Sequence, residues 1–595
     1  INEWVSKSQS AVKAVVDAGG TNSFMLDFDN ATSTTTLGYD KSSNGNNWTL
    51  NNFSLTAGTT YDHMLDVPGN SYATLNPLAA AASANLSSAN LTNVTNATGY
   101  GRVHGSFAMS SGKWYWEATV SQMSTTTAAA GIATQFVDTY VGGASGDVQV
   151  VGATAVNQVL AIALDLDANT VAGYIDNVLA YGPSSIPAGS YFPAFSDSHN
   201  TVNYCTFNAN FGQAPLHASA AWRSDAGGYF RYTPPTGFKA LCQRNLPDPV
   251  ILNPEKHFDV VTRAGTSAAA TISSLSMQAD LIWIKARTLG AGGNHVIADS
   301  VRGIGSSATK ELYPNLTNAE SGSTNVVTAF SSNGYSLGTD GAYDRFNATG
   351  HTYVDWLWKM GGAAVTNNNG SISSQVSANV LAGQSVVTYT GNNVSGHTVG
   401  HGLSSSPNLV IIKSRGNTEP WPVYHASAGF GNQLFLNTTA AQVAPANGYV
   451  GVVSSTTFSV NGAATNSNVN SLGVQYVALC FRSVPGYSKI GSYIGNGSAD
   501  GPYVECGFKP KYVLIKCSSA GSNNWAIYDT ARDVYNVCTL DLLANTSNSE
   551  NQFSSDIDVL STGFKLRGTS GDTNAAQTYI FYAVADVAGK FALGR

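Results

Sequence analysis

Charge is what this sequence has least of. Asp, Glu, Lys and Arg make up 11% of its 595 residues, where an ordinary soluble domain carries roughly 25%. The formal net charge of -7 is small for this length, so hydration must come from Ser, Thr, Asn and the backbone. Lys and Arg are not clustered as neutralising a phosphate backbone would require, which excludes nucleic acid as an expected partner. Long apolar runs are missing too. No window reaches the roughly 18 to 20 consecutive apolar residues of a membrane-spanning helix, and no membrane insertion is expected. The six cysteines, Cys205, Cys242, Cys480, Cys506, Cys517 and Cys538, show no CxxC pairing. That argues against a zinc site or a dense disulfide framework and predicts buried apolar thiols in a protein made in a reducing cytoplasm. The chain opens on Ile1 with neither an initiator Met nor a signal segment, so a longer polypeptide is expected upstream.

Helical periodicity is confined to residues 2–18, where Val5, Val12, Val15 and Val16 recur before Gly19-Gly20 ends the run. After it, short Val, Ile, Tyr and Trp runs alternate with Gly, Asn and Ser clusters, the pattern of many short strands. The expected fold class is all-β and multidomain, since the length allows about three to five domains. We expect a helical connector over 1–20, a strand- and turn-rich extension over 21–100, a β-sandwich over 101–240, and three β-repeats over 251–362, 385–486 and 487–595. Pro234-Pro235 and the Pro247-Asp248-Pro249 stretch place a boundary near residue 250, because proline removes the donor a sheet needs.

Within Lys113-Trp114-Tyr115-Trp116-Glu117-Ala118-Thr119-Val120, strand alternation puts Trp114, Trp116 and Ala118 on one face. Val159 to Asp165, a turn at Asp167-Ala168-Asn169, and Val171 to Asn177 predict a β-hairpin. Taken in order with Gly131-Ile132-Ala133-Thr134, Tyr191 to Asp197 and Phe207 to Pro215, these phrases resemble the SPRY (B30.2-like) β-sandwich family over residues 105–215. The resemblance implies two packed antiparallel sheets with binding by loops at one rim, and no catalytic residues.

The remaining chain repeats itself. A strand ending in lysine occurs three times: Leu281 to Lys285, Leu409 to Lys413, and Tyr512 to Lys516. A second strand follows each: His295 to Asp299, Trp421 to His425, and Trp525 to Asp529. A third comes at Gly334 to Leu337, Thr457 to Val460 and Gly563 to Leu566, and an aromatic strand closes each copy at Tyr353 to Trp358, Tyr476 to Phe481 and Tyr579 to Val584. A period this long predicts three small β-domains strung in order, separated at 363–384 and at Pro485-Gly486. Together with phrases such as "GTNSFMLDF", "SNGNNWT", "PPTGFKALCQRNLPDP" and "YVDWLWKMGG", the array resembles tail fibres and related virion proteins of tailed bacteriophages.

That resemblance implies a virion protein of the phage tail, assembled in the host bacterial cytoplasm, that attaches to the host surface by non-catalytic binding. The alternatives are a structural or decorating protein of tail or capsid, and a glycan depolymerase. The expected partners are further copies of the chain in a homotrimer, other tail or virion proteins, and a bacterial surface glycan or protein receptor.

Candidate chemistry is thin. Asp165, Asp167, Asn169 and Asp176 imitate part of a calcium loop but lack its Gly at position six and its Glu at twelve, so a hairpin turn is expected. His397 and His401 stand four apart in a sequence that does not read as a helix, so no metal site is expected. Asp299 and Arg302 are echoed by Asp529 and Arg532, whereas the middle copy has His425 and Ala428, so a local ion pair or turn cap explains them. No catalytic residue and no cofactor is expected. Trp114, Trp356 and Phe581 read as core, while Tyr140, Tyr343 and Trp421 in loops are placed to stack on a sugar. Which loops bind is left open by the sequence.

Overall fold

The computed structural model describes residues 9–590 except 29, 31, 56–62, 64–69, 96–98, 125–127, 198–204, 214–220, 291, 304–309, 322–325, 341–344, 430, 445–448, 462–466, 552–555 and 589. Their regular structure is almost wholly antiparallel strand, with α-helices only at Gln9–Asp17 and Thr34–Leu37. No helix among the described residues is long and apolar enough to cross a membrane. The chain forms two compact units, Ile1–Pro247 with Leu593–Arg595, and Asp248–Ala592.

The first unit is a two-sheet sandwich. One sheet runs in the order Leu75–Ala80, Val103–Gly105, Phe192–Asp197, Ala128–Ala133, Val148–Ala153. The other runs Val178–Ser185, Thr170–Ile175, Val159–Asp165, Lys113–Met123, Cys205–Asn210, Thr92–Thr95, Ala84–Ser87, with Lys239–Ala240 added parallel to Lys113–Met123. The period-two alternation of a strand decides where each side chain goes. Trp114, Trp116, Ala118 and Val120 enter the core between the sheets, and Tyr115 enters a second cluster with Ala161, Ala163 and Phe230. Each large ring so buried contributes about 1.5–3 kcal/mol. The hairpin expected around Asp167 is present, with Asp165 paired to Thr170.

The sandwich begins earlier than the expected residue 101. Leu75–Ala80, Ala84–Ser87 and Thr92–Thr95 complete its sheets, and Leu75 and Leu91 lie in its core. These strands are short and rich in Asn, Ser and Ala, so their composition reads as turn although burial against the sheets makes them strand. The described residues between 21 and 55 are mostly irregular, with the short helix Thr34–Leu37 and no strand among them.

In the second unit one strand order occurs three times. Side by side lie Phe258–Ala264, Thr352–Trp358, Leu281–Ala286 and Val296–Asp299 in the first copy. The second copy has Gln384–Thr390, Gln475–Phe481, Leu409–Ser414 and Pro422–His425, and the third Ser488–Ile494, Thr578–Val587, Lys509–Cys517 and Trp525–Asp529. Each copy adds a three-stranded sheet whose middle strand is Gly334–Leu337, Thr457–Asn461 or Gly563–Leu566.

The lysine-ended strands show why the copies do not stand apart as beads on a string. One face of each feeds a private core: Ile282 and Ile284, Val410 and Ile412, Val513 and Ile515. The other face, Leu281 and Trp283, Leu409 and Ile411, Tyr512 and Leu514, enters one core shared by all three copies. There Trp358, Phe481 and Tyr582 from the three closing strands meet, with ring centroids 6.1 Å apart for Trp358 and Phe481 and 5.0 Å for Phe481 and Tyr582. The indole of Trp358 donates to the Tyr582 hydroxyl at 3.3 Å. The segment 363–384, expected as a separator, instead supplies the edge strand Val365–Asn367 and its inner neighbour Ser374–Asn379 to the sheet of the second copy.

Candidate functional site

Most of the charged groups that stand out in the sequence are occupied in joints between copies. Arg302 donates to Asp299 at 2.5 Å and to Glu320 at 3.2 Å, and Arg415 of the second copy closes on the same Glu320 at 2.8 Å. The arrangement recurs where the third copy meets the first. Arg532 donates to Asp529 at 2.6 Å and to Glu550 at 2.9 Å, and Arg287 of the first copy donates to Glu550 at 2.8 Å. The Trp356 indole of the first copy also donates to Asp529, at 2.9 Å. Between second and third copies the four matching positions are neutral: His425, Ala428, Gln442 and Ser518, with the backbone N–H of Gln442 donating to the Ser518 carbonyl at 2.9 Å. Burial pulls the His425 imidazole down to about 4, so this joint carries no charge at neutral pH.

Two of the strand-end lysines, Lys285 and Lys413, also reach across joints. Lys285 donates to the carbonyls of Ala286 at 2.7 Å and, in the third copy, Ser547 at 3.3 Å. Lys413 reaches the carbonyls of Thr317 in the first copy at 3.0 Å and of Glu419 at 2.9 Å, and Lys516 donates to that of Asn523. Burial lowers the Lys285 amine to about 7 and those of Lys413 and Lys516 to about 8.

The other sequence candidates resolve singly. Asp165 binds Lys113 at 2.8 Å and accepts the backbone N–H groups of Asp167 and Ala168, while Asp176 accepts that of Val159. These carboxylates tie the hairpin. His397 pairs with Asn392 at 2.7 Å, and His401 pairs with the Ser454 carbonyl and the Leu403 N–H. Trp114, Trp356 and Phe581 are core, and all six cysteines are buried and unpaired.

The loop aromatics need a correction. Trp421 is not placed to stack on a sugar: it is 1% exposed, and its indole donates to the carbonyls of Tyr313 and Leu316 in the first copy at 3.0 Å. Tyr343 lies outside the described residues. Tyr140 is exposed and sits 5.5 Å from the Tyr100 ring, on a loop held by a buried pair. Arg102 binds Asp147 through two nitrogens at 2.6 and 2.9 Å and reaches the carbonyls of Thr139 and Tyr140.

A second exposed aromatic group escaped the sequence reading. The short hairpin Ala221–Arg223 and Gly228–Phe230 sets Trp222 opposite Tyr229, ring centroids 5.5 Å apart. Phe230, on the hairpin's other face, is buried against Tyr115, whereas Trp222 is 46% exposed. Just beyond, the Glu117 carboxylate accepts the backbone N–H groups of Arg231 at 2.8 Å and Tyr232 at 2.9 Å and the Tyr115 hydroxyl at 3.0 Å. Burial pushes the Glu117 carboxyl up to about 7 against the pull of these donors. The hairpin and its exit are thus clamped to the sandwich, and a fixed backbone presents Trp222 to solvent, with Tyr229 and Arg231 half-buried. The available signal was a Trp and a Tyr flanking Asp225-Ala226-Gly227-Gly228, a turn sequence between strands too short to register by periodicity.

No curated protein matches the chain. Among solved structures it is similar to the SPRY domain of human HERC1, with 11% identity and a TM-score of 0.20 over 23% of this chain and 96% of that one. It is similar to the TRIM65 PSpry domain, with 15% identity and a TM-score of 0.18 over 23% of this chain and 91% of that one. For stonustoxin the values are 19% identity and a TM-score of 0.18, over 23% of this chain and 27% of that one. Residues 253–587 match the family model described as a domain of unknown function, DUF7483. That span exceeds half of the 595 residues and takes in the whole cycle of joined repeats, so the chain belongs to the DUF7483 family.

Proposed function

We propose that this chain is an attachment protein of a tailed-bacteriophage virion, a tail fibre or fibre-like protein that binds a host cell-surface glycan or protein without catalysis. The observation that carries the reading is the clamped hairpin, which holds the exposed Trp222 on a fixed backbone with the half-buried Tyr229 packed edge-on against it. A braced indole of this kind suits the apolar face of a sugar, and a loop fixed in advance loses little entropy on binding. The prominent acid and base groups give the reading further support, because Asp299, Arg302, Asp529, Arg532, Lys285 and Lys413 are taken up by joints and Lys516 by a carbonyl of its own copy. Each contact would be weak, and several copies per particle would raise the effective affinity. The proposal includes self-association as a homotrimer and docking to other virion proteins.

The test is to incubate the labelled full chain with a panel of bacterial cells and with their isolated surface polysaccharides, and to analyse the sugars afterwards. Cell binding that Trp222→Ala abolishes, without shortened sugars, supports attachment. Released oligosaccharides would replace it with a depolymerase, and a complete lack of cell binding would favour a structural or decorating role.

A further inference from the structure

Alternation along Gly228–Phe230 puts Tyr229 on the face that carries Trp222, and Arg231 follows two residues later at the bend where the strand has ended. Arg231 is half-buried, its guanidinium lies 5.6 Å from the Tyr232 ring centroid, and its Nε donates to the Tyr232 hydroxyl at 3.3 Å. Stacking and that single bond fix the plane of the group and leave both terminal nitrogens of the fork directed elsewhere. No carboxylate lies within ion-pair distance of it among the described residues. Glu117, the nearby acid, is spent on the backbone N–H groups of Arg231 and Tyr232. Arg223, next after Trp222, buries its Nε without an acceptor among the described residues. Asp225 is the single acid between Ala221 and Tyr232, against two arginines. In a chain with so little charge, two arginines that make no ion pair among the described residues, next in sequence to Trp222 and Tyr229 and with Glu117 feeling the charge of Arg231, form a locally cationic, aromatic stretch.

We propose that this surface binds an acidic saccharide: the Trp222 ring, braced edge-on by Tyr229, stacks on a pyranose face, and the Arg231 fork takes the carboxylate of a uronic acid. This rests on the attachment reading and names the ligand class for it. A carboxylate matches the planar fork through two parallel hydrogen bonds, and a neutral hydroxyl does not.

The experiment titrates the full chain with oligogalacturonate and with the same oligosaccharide after carboxyl reduction, by calorimetry at low and high salt. The acidic form is expected to bind about tenfold or more tightly than the reduced form. Arg231→Gln should remove that preference and leave binding of the reduced form unchanged, and Arg231→Lys should restore it only in part, because the charge returns without the fork. Trp222→Ala should weaken both. Near-ultraviolet circular dichroism of each variant confirms that the sandwich stays folded. Equal affinity for both forms, lost in Trp222→Ala, would overturn the acidic ligand and leave attachment standing. An acidic preference that survives in Arg231→Gln would overturn the assignment of the fork. Binding of neither oligosaccharide by a chain that still adheres to cells would overturn this inference alone, and absence of both kinds of binding would take the attachment reading with it.

Discussion

Replacing Arg532 by Ala leaves Asp529 buried without its main counter-ion and leaves the carbonyls of Leu540 and Ile527, now bonded at 2.8 and 2.9 Å, without their donor. Breaking a buried pair by removing one partner costs about 3–5 kcal/mol, chiefly because a charge stays behind in a dry site. The joint between second and third copies shows that the fold does not need the charges, since His425, Ala428, Gln442 and Ser518 close it without any. Writing that set into the charged joint as Arg287→Ser, Asp529→His, Arg532→Ala and Glu550→Gln should therefore cost less than Arg532→Ala alone. The coupling energy should reach about 2 kcal/mol or more, within the range for residues of one network. Urea unfolding followed by Trp fluorescence reads the difference, because Trp356 lies against the joint. A quadruple variant less stable than the single one would refute the reasoning, and would show that the arginine's own packing, including its place 5.8 Å from the Trp356 ring, carries the cost.

The lysines give a pH prediction. Their amines titrate near 7 to 8 when folded and near 10.5 when unfolded, so between these values the unfolded chain holds more protons and stability rises with pH, by up to about 1.4 kcal/mol per unit and amine. Melts at pH 7 and about 7.8, below the ionisation of unfolded thiols near 8.5, should show this rise, and Lys285→Met should show less of it; an identical rise in the variant would count against the assignment. Arg102→Met should free the loop around Tyr140, so that chymotrypsin cuts there first while the sandwich strands persist; an unchanged digestion pattern would mean that the pair does not hold the loop. The six buried thiols should react with a thiol reagent only after unfolding, and fast reaction of the native protein would contradict their burial.

The repeats were legible because period-two burial leaves an apolar run wherever both faces of a strand are covered, as in Leu281 to Lys285. What covers the second face was not legible, since the shared core joins residues more than a hundred positions apart. Trp421 shows the effect: the flanking prolines make it look like a loop residue, and the carbonyls that bury it belong to another copy. Asn367-Asn368-Asn369-Gly370, within the segment expected as a separator, leads into a hairpin turn whose ends pair at Asn367 and Ser374. For Asp299, Arg302, Asp529 and Arg532 the sequence suggested local ion pairs, and the molecule extends those pairs into joints with a neighbouring copy. Trp222 and Tyr229 were missed because a three-residue strand is too short for any period to show.

The shared core also fixes a number. A solenoid grows by adding modules at its ends, whereas three copies that each touch the other two leave no end at which to add a fourth. Duplication or loss of a copy would expose Trp356, Phe481 or Tyr582 to water, so copy number is held by closure. The copies are then free to diverge only in step with the neighbour across a joint. Arg287 changes with Glu550 and Ser518 with Gln442, so the unit of inheritance in this molecule is the seam, written half in one repeat and half in the next.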